Sequence, residues 1–205
     1  MIVKVCGLRD PENIRAVDRL AVDLCGFIFY PRSPRCVPDD ELHAEAVRSC
    51  RKPAVGVFVD ASPAEMLRTA GRFGLGWLQL HGDESPEACG ELRQRGFRII
   101  KAIRVAAAAD LAAARAYETC ADYLLFDTRC DGYGGSGRRF DWRVLDAYTG
   151  RVPFLLSGGI DAGCADAVRG FAHPRFAGVD LNSGFETAPA VKDAGKLEEF
   201  IAKIQ

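Results

Sequence analysis

Apolar runs recur along the chain, and a stretch with helical spacing of apolar residues follows each of them. Eight runs rich in branched and aromatic residues occupy positions 2–6, 24–29, 54–59, 76–81, 97–103, 122–127, 152–157 and 177–182. Short continuous runs of this kind are typical of strands that are buried on both faces, as in a parallel sheet. The pattern therefore predicts eight strands that alternate with helices.

The starts of several predicted helices are marked in the sequence. A capping residue followed by proline, which is favoured at the first helical position, occurs at three places: Asp10-Pro11, Ser62-Pro63 and Ser85-Pro86. The alanine-rich segment 106–118 is strongly helix-prone, and segment 193–205 closes the chain with apolar residues at helical spacing.

This alternation indicates an α/β protein with a parallel sheet. Eight strand–helix units fit a closed (β/α)₈ TIM barrel better than an open doubly wound sheet, although 205 residues is close to the fold's lower limit of about 200. No composition break or linker divides the chain, so we expect residues 1–205 to form a single catalytic barrel domain. A flavodoxin-like open sheet with extra strands is the alternative architecture.

Composition and charge narrow the classes of partner. The chain is 48% hydrophobic and 27% charged, its formal net charge is -1, and no basic block indicates nucleic acid. The N-terminus enters a strand pattern directly, and no apolar run reaches the about 18 residues that a membrane span needs. We therefore expect a cytoplasmic protein with no membrane or nucleic-acid partner. The sequence does not distinguish a monomer from a homodimer.

The cysteines and histidines are scattered. None of the eight cysteines forms a C-x-x-C pair, and the three histidines lie far apart in sequence. We therefore expect no metal site, and most thiols should be small buried groups in a reducing compartment. A thiol-redox role has the number of cysteines in its favour but lacks that motif.

In a TIM barrel, the functional residues lie at the carboxyl ends of the strands. We therefore consider the polar residues at those ends as candidates. Candidate side chains at those ends are, in strand order, Cys6, Arg35, Asp60, His81, Lys101 and Asp127. Strands 7 and 8 are followed by glycine-containing turns with Gly158, Gly159, Ser183 and Gly184. Glycines there let backbone N–H groups approach an anion, so a phosphate site is favoured over simple tight turns. The glycine-rich loop 128–139 predicts a lid over the barrel mouth, with a surface insertion as the alternative.

Several of these residues keep alternative roles open. Asp127 follows four apolar or aromatic residues, and the resulting desolvation favours the protonated carboxyl and suits a proton donor. A cap, or an ion pair with Arg129 or Arg138, is the alternative. His81 is either a proton carrier or a structural or substrate contact. Cys6, judged from its own run alone, is typical of a small core residue.

With these residues in view, the chain resembles the phosphoribosylanthranilate isomerase family of tryptophan biosynthesis from end to end. The matching motifs fall in order on the predicted strands: KVCGL, GFIFYPRSPRCV, VGVFVD, LQLHGDE, KAIRV, LLFDT with GGSGRRFDW, LSGGI, and GVDLNSGFE with VKD. Any one of these is weak evidence, but the full ordered set on one barrel is specific.

The resemblance implies an intramolecular oxidoreductase, an aldose–ketose isomerase that performs an Amadori rearrangement by general acid–base catalysis. N-(5-phosphoribosyl)anthranilate becomes 1-(2-carboxyphenylamino)-1-deoxyribulose 5-phosphate, the third step from chorismate to tryptophan, without a metal or organic cofactor. Carried over by motif, Cys6 is the expected base and Asp127 the expected acid. Arg35 and His81 would bind the substrate, and the Arg35 fork suits the anthranilate carboxylate. The phosphate would be held by Gly158, Gly159, Ser183 and Gly184.

The chain departs from the family pattern in a few places. After SGG the family usually has Leu-x-Pro-x-Asn-Val, whereas IDAGCADAV here lacks both Pro and Asn, which leaves the start of the seventh helix open. Asn182 stands where the family tends to have serine, and GGSG replaces the commoner GGTG. Two alternative functions remain: the related histidine-pathway phosphoribosyl sugar isomerase, which uses a pair of aspartates, and a non-catalytic phosphosugar-binding barrel.

Overall fold

A computed structural model describes residues 1–128 and 141–205 of the chain. Eight parallel strands form a closed barrel in chain order: β1 Ile2–Val5, β2 Leu24–Ile28, β3 Ala54–Phe58, β4 Trp77–Leu80, β5 Arg98–Val105, β6 Tyr123–Thr128, β7 Phe154–Leu156 and β8 Phe176–Leu181. Because β1 pairs with both β2 and β8, the sheet has no free edge. This closure confirms the TIM barrel and excludes the flavodoxin-like sheet.

The α-helices of the described segments follow the strands: α1 Pro11–Asp18, α2 Glu41–Arg48, α3 Pro63–Phe73, α4 Pro86–Gln94, α5 Ala165–Gly170 and α6 Ala194–Ile204. The three predicted caps are confirmed, since the side chains of Asp10, Ser62 and Ser85 each accept the backbone N–H three residues further on. None of the described helices has the length and apolar character to cross a membrane, and the cytoplasmic location stays a prediction.

The alanine-rich segment after β5 differs from the α-helix that its composition predicts. It forms a 3₁₀ helix over Ala108–Tyr117. Its contacts with the core recur at every third residue, at Leu111, Ala114 and Tyr117, which matches the three residues per turn of a 3₁₀ helix. The Tyr117 hydroxyl also donates to the backbone carbonyl of Glu84 (2.8 Å). Tertiary contacts therefore override the intrinsic propensity of the alanines.

The last part of the barrel contains two further irregular elements. The start of the seventh helix, which the sequence left open, is a 3₁₀ turn over Ala162–Cys164 that continues into α5. Asp161 caps this turn by accepting the N–H of Gly163 (2.8 Å). An antiparallel pair, β9 Glu186–Ala188 and β10 Val191–Lys192, follows β8 and leads into α6.

The connection from β6 to β7 is described only in part. Residues 129–140 lie outside the described residues, and with them all but Thr128 of the predicted lid at 128–139. Arg129 and Arg138, the alternative partners of Asp127, lie there as well. The described remainder contains a 3₁₀ helix over Trp142–Ala147 that leads to β7.

Two layers of apolar side chains hold the barrel together. The interior is filled by a small cluster: Leu24, Val55, Ile100, Ala102, Leu125 and Leu155. A larger cluster fills the space between the strands and the surrounding helices. Because successive residues of a strand face opposite sides, the position of a residue along its strand decides which layer it joins.

Candidate active site

A cavity of about 710 Å³, including its open mouth, lies at the carboxyl ends of the barrel strands. Its lining includes six of the predicted site residues: Cys6, His81, Asp127, Gly158, Gly159 and Ser183. These residues come from strand ends that are far apart in sequence. The barrel therefore assembles them at the end where TIM barrels carry their function.

Strand pleat explains why three of these side chains point inward. Leu125 belongs to the cluster that fills the barrel, and Asp127 lies two residues further along β6, on the same face. By the same alternation, His81 follows the inward Gln79 of β4, and Cys6 continues the inward positions of β1. The polar side chains thus form a layer above the apolar interior, at the open end of the barrel.

Asp127 and His81 are in direct contact. Nε2 of His81 lies 3.2 Å from Oδ2 of Asp127, and Nδ1 of His81 lies 2.7 Å from Nε2 of Gln79. Oδ1 of Asp127 accepts the backbone N–H of Thr128 (2.9 Å). With the Gln79 amide in this orientation, a neutral imidazole carries its proton on Nε2 and donates it to the carboxylate. Asp127 is therefore held in place while 16% of its side chain stays exposed.

Cys6 lies at the base of the cavity and is 3% exposed. Burial raises the pKa of its thiol, and the positive charges of Lys4 and Lys192 only partly offset this effect. Lys4 is itself buried and donates to Oδ1 of Asp180 (2.7 Å). Gly26 provides the space, since a Cβ there would lie 2.9 Å from the Cys6 sulfur and 3.1 Å from the Lys4 nitrogen. In the free protein the thiol therefore keeps its proton at neutral pH.

Arg35 lies beside this thiol and already holds a carboxylate. Its Nε donates to Oε1 of Glu186 (2.9 Å), and its Nη2 donates to Oε2 (2.6 Å). Glu186 also accepts from Nζ of Lys192 (2.6 Å), which donates in addition to Oδ1 of Asn182 (2.7 Å). The aliphatic part of Arg35 packs over Gly7, where a Cβ would approach within 2.8 Å of its Cδ. Arg35 is thus fixed, and its Nη1 makes no hydrogen bond with another described residue.

The turns after β7 and β8 offer backbone N–H groups to the cavity. Gly158 and Gly159 have φ values of +81° and +66°, in the left-handed region that favours glycine. The N–H groups of Gly159 and Ser183 donate to no other described group. Gly184 does not line the cavity, because it packs against the backbone that follows Gly159. Three of the four predicted phosphate ligands therefore face the cavity.

Asp60 and Lys101 were also candidates because they stand at the carboxyl ends of strands, but they do not line the cavity. Asp60 Oδ1 accepts the N–H of Asp83 (2.7 Å), and the Asp60 N–H donates to Oε1 of Glu84 (2.9 Å). Lys101 is 2% exposed, and its Nζ donates to the carbonyl of Leu80 (3.1 Å) and to Oε2 of Glu84 (3.1 Å). Asp60 and Lys101 therefore have a structural role, because their hydrogen bonds connect strand ends with the neighbouring loops.

Sequence reasoning missed several polar residues in or beside the cavity: Gln79, Asp180, Glu186 and Lys192. A polar residue at an inward position of a buried strand is unusual, and this signal was available for Gln79 and Asp180. Glu186 and Lys192 stand in the NSGFE and VKD motifs. Their network with Arg35 joins residues 151 positions apart, which no local pattern reveals.

Comparisons with known proteins show which family this chain resembles over its full length. A family profile described as N-(5'phosphoribosyl)anthranilate (PRA) isomerase matches residues 3–203. The N-(5'-phosphoribosyl)anthranilate isomerase of Parabacteroides distasonis is 53% identical, over 100% of this chain and 93% of that protein. The crystal structure of phosphoribosyl anthranilate isomerase from Thermus thermophilus matches with a TM-score of 0.83 and 32% identity, over 99% of this chain and 98% of that one. Another crystal structure, with a TM-score of 0.80, 29% identity and coverage of 100% and 98%, shows such an isomerase in complex with reduced 1-(o-carboxyphenylamino)-1-deoxyribulose 5-phosphate.

Proposed function

The chain belongs to the N-(5'-phosphoribosyl)anthranilate isomerase family, and we propose that Cys6 and Asp127 are the base and the acid of its isomerisation. The reaction converts the aminoaldose N-(5'-phosphoribosyl)anthranilate into the aminoketose 1-(2-carboxyphenylamino)-1-deoxyribulose 5-phosphate in tryptophan biosynthesis. The observation that carries the proposal is that one cavity holds a thiol, a histidine-bound carboxyl group and exposed glycine N–H groups.

Ring opening is the first chemical step, and it needs an acid at the furanose ring oxygen. Asp127 acts in its protonated form: it gives its proton to that oxygen, the bond from C1 to the ring oxygen breaks, and the anilino nitrogen forms a Schiff base with C1. The carboxylate that accepts from His81 is the form that this step leaves behind. His81 contacts the Asp127 carboxylate and stabilises it once the proton has left. The buried Oε1 of Gln79 has no partner among the described residues, and a sugar hydroxyl would supply one.

Proton removal from C2 is the second step. The Schiff base withdraws electrons from C2, so the substrate nitrogen is the electron sink and no metal or organic cofactor is required. The Cys6 thiolate takes the proton, and the resulting enolamine tautomerises to the ketone. Because burial raises the pKa of Cys6, the thiolate is a strong base but a scarce one at neutral pH. Lys4 and Lys192 favour its formation.

The two anionic ends of the substrate match Arg35, which lies beside Cys6 but is not among the residues that line the cavity, and the turns after β7 and β8 within it. Arg35 offers Nη1 to the anthranilate carboxylate, because Glu186 already occupies Nε and Nη2. The phosphate lies near Gly158, Gly159 and Ser183, whose backbone can approach it closely. The prediction of a monomer or homodimer remains open alongside this small-molecule substrate.

The test is fluorescence-monitored loss of phosphoribosylanthranilate, run beside the histidine-pathway aminoimidazole substrate. We expect turnover of the first substrate, and Cys6→Ser and Asp127→Asn should each lower kcat by about 10²–10⁴-fold. That loss corresponds to roughly 3–5 kcal/mol. Both variants should still bind a product analogue, which a folding defect would prevent.

Cys50→Ser is the matched thiol control, because Cys50 lies outside the cavity, and it should retain full activity. Near-wild-type kcat in Asp127→Asn would move the acid role to His81. Full activity in Cys6→Ser would make Cys6 a packing residue. Turnover of the aminoimidazole substrate alone would select the histidine-pathway alternative, and binding without turnover would select the phosphosugar-binding barrel.

A further inference from the structure

A second group of reactive side chains lies outside the cavity, between the barrel and its helices. Cys25 is part of β2, Cys50 lies between α2 and β3, and Asp18 is the last residue of α1. The two sulfur atoms and a carboxylate oxygen of Asp18 all lie within 4.8 Å of one another. Cys25 faces the outer apolar layer, whereas Cys6 faces the barrel interior, so the isomerisation does not use this pair.

The two thiols differ in exposure and in ionisation. Cys25 is fully buried, whereas Cys50 is partly exposed at the end of its turn. Interaction with the Cys25 thiol lowers the pKa of Cys50, and the backbone N–H of Lys52 adds to this effect. Burial, the hydrogen bond that the Cys50 thiol donates to Oδ1 of Asp18 (3.3 Å) and the charge of Asp18 oppose it. The same interaction between the thiols, together with burial, raises the pKa of Cys25. Cys50 is therefore the nucleophile of the pair, and Cys25 keeps its proton.

We propose that Cys50 and Cys25 form a peroxide-reactive thiol pair that closes reversibly into an intrachain disulfide. Thiols that react in this way are accessible, have a stabilised thiolate and stand beside a resolving thiol. Cys50 has the first two properties, and Cys25 provides the third within 4.8 Å.

The oxidant is a hydroperoxide. The Cys50 thiolate attacks one oxygen of hydrogen peroxide, the O–O bond breaks, and Cys50 becomes a sulfenic acid as hydroxide leaves. The Cys25 sulfur then attacks the sulfenyl sulfur, and the S–S bond forms as the S–O bond breaks. The departing hydroxide takes the Cys25 proton as water. In sum, two thiols and one hydrogen peroxide give one disulfide and two waters.

The same atoms make a poor cage for a metal ion. Structural zinc sites use four ligands, whereas the described residues place three donors here. Both oxygens of Asp18 are already engaged: Oδ1 accepts the N–H groups of Arg51 (3.0 Å) and Lys52 (3.1 Å), and Oδ2 accepts from Nε of Arg51 (2.7 Å). Asp18 thus anchors the turn that carries Cys50, whose thiol also reaches Oδ1 (3.3 Å).

The chain contains a matched control pair. Cys89 of α4 and Cys120, which precedes β6, also lie close enough for their thiols to interact, but both are buried. Burial and the interaction with Cys120 raise the pKa of Cys89. Proximity is therefore common to both pairs, whereas partial exposure of the residue and a lowered thiol pKa belong to Cys50.

The experiment treats the full chain with hydrogen peroxide at neutral pH, alkylates the remaining thiols and maps the peptides by mass spectrometry. A Cys130→Ser background is used because Cys130 lies outside the described residues. We expect a Cys25–Cys50 cross-linked peptide that is two hydrogens lighter than the reduced pair and that dithiothreitol reverses. It should form about tenfold faster than a Cys89–Cys120 cross-link. Isomerase activity should be retained, which separates this proposal from the assignment of Cys6.

Two variants sharpen the test. Cys50→Ser should abolish the cross-link, and Cys25→Ser should leave Cys50 as a sulfenic acid that dimedone traps. Should Cys25→Ser fail to fold, the peptide maps of the parent chain and Cys50→Ser decide. Equal oxidation of the Cys89–Cys120 pair would overturn the proposal, since proximity alone would then explain the cross-link. A Cys50 that remains fully alkylatable after peroxide treatment would overturn it as well.

Discussion

Arg35 shows how a single side chain divides its hydrogen bonds between structure and substrate. Its ion pair with Glu186 is largely shielded, with 14% of the Arg35 side chain and 6% of the Glu186 side chain exposed. Burial by itself would raise the pKa of Glu186, but the hydrogen bonds from Arg35 and Lys192 outweigh it and hold that pKa low. An ionised Glu186 keeps the guanidinium oriented, and this leaves Nη1 for an incoming carboxylate.

Arg35→Lys should therefore not be a conservative change. An ammonium cannot hold Glu186 through two nitrogens and also reach the substrate carboxylate. We expect kcat/KM for phosphoribosylanthranilate to fall about 10- to 100-fold, the cost of one or two charge-assisted hydrogen bonds. The loss should be much smaller for an analogue that lacks the carboxylate.

Arg143→Lys is the control, because Arg143 pairs with Asp141 at the surface and is 86% exposed. Arg143→Lys should leave kcat/KM unchanged on both substrates, because exposed ion pairs contribute little to stability. Equal losses on both substrates in Arg35→Lys would instead assign Arg35 a structural or general electrostatic role.

At the scale of secondary-structure elements, β2 leaves space for the side chains at the carboxyl end of β1, because it has a glycine beside them. Gly26 faces the barrel interior between Leu24 and Ile28 and lies against both Cys6 and Lys4. Any side chain at this position would compete with the thiol for space. A strand that is otherwise apolar thus contains a glycine at the point where its neighbour carries the base.

Gly26→Ala tests this role of β2. The added methyl would lie 2.9 Å from the Cys6 sulfur, so the thiol must move. We expect kcat to fall by about 10- to 100-fold, since displacement of a catalytic group by about 1 Å costs activity of this order. Overpacking should also lower the free energy of unfolding by roughly 1–3 kcal/mol. The measurements are steady-state kinetics and urea denaturation.

Gly71→Ala is the matched control in α3, where an added Cβ meets nothing within 4 Å. It should stabilise the protein by about 0.5–1 kcal/mol with unchanged kcat, because alanine is the better helix former. If Gly26→Ala also keeps full activity, the close fit of β2 around the thiol has no catalytic role.

The stability of the whole molecule depends on pH through carboxylates that the fold holds ionised. Burial alone would raise the pKa of Asp18, but hydrogen bonds from Arg51, Cys50 and Lys52 outweigh it and hold that pKa below its ordinary value of 3.8. A carboxyl group with a lowered folded-state pKa stabilises the protein above its unfolded-state pKa. This stability is lost as the pH falls through the folded-state value.

Asp18→Asn should therefore destabilise the protein in a pH-dependent way. At pH 7 we expect a loss of roughly 1–3 kcal/mol in the free energy of unfolding, because the charge-assisted bonds to Arg51 are weakened. The difference from the parent chain should shrink progressively below about pH 4, where Asp18 takes up a proton in the unfolded chain. Urea denaturation at several pH values measures this.

Asp166→Asn provides the comparison at the surface. Asp166 is 90% exposed and pairs with Arg169, so its loss should change stability little at any pH. A stability difference for Asp18→Asn that stays constant from pH 7 to pH 3 would show that packing, rather than charge, is what the substitution removes.

The sequence by itself determined the strands, the capped helices and the order of the barrel. A buried strand or a capped helix is specified by a few neighbouring residues, so apolar runs and pairs such as Ser62-Pro63 suffice to locate them. The position of Cys6, His81 and Asp127 at strand ends follows from the same local pattern. The alanine-rich 3₁₀ helix Ala108–Tyr117 shows the limit of this reasoning, because contacts with the core decided its helix type.

The tertiary structure alone decided which side chains touch. The contact between His81 and Asp127 joins residues 46 apart, and that between Arg35 and Glu186 joins residues 151 apart. Such distances depend on barrel closure and on the stagger between strands, which no short segment encodes. The proximity of the Cys25 and Cys50 thiols near Asp18 likewise depends on the tertiary structure. Local sequence fixes which residues stand at a strand end, and closure of the barrel determines which of them form one site.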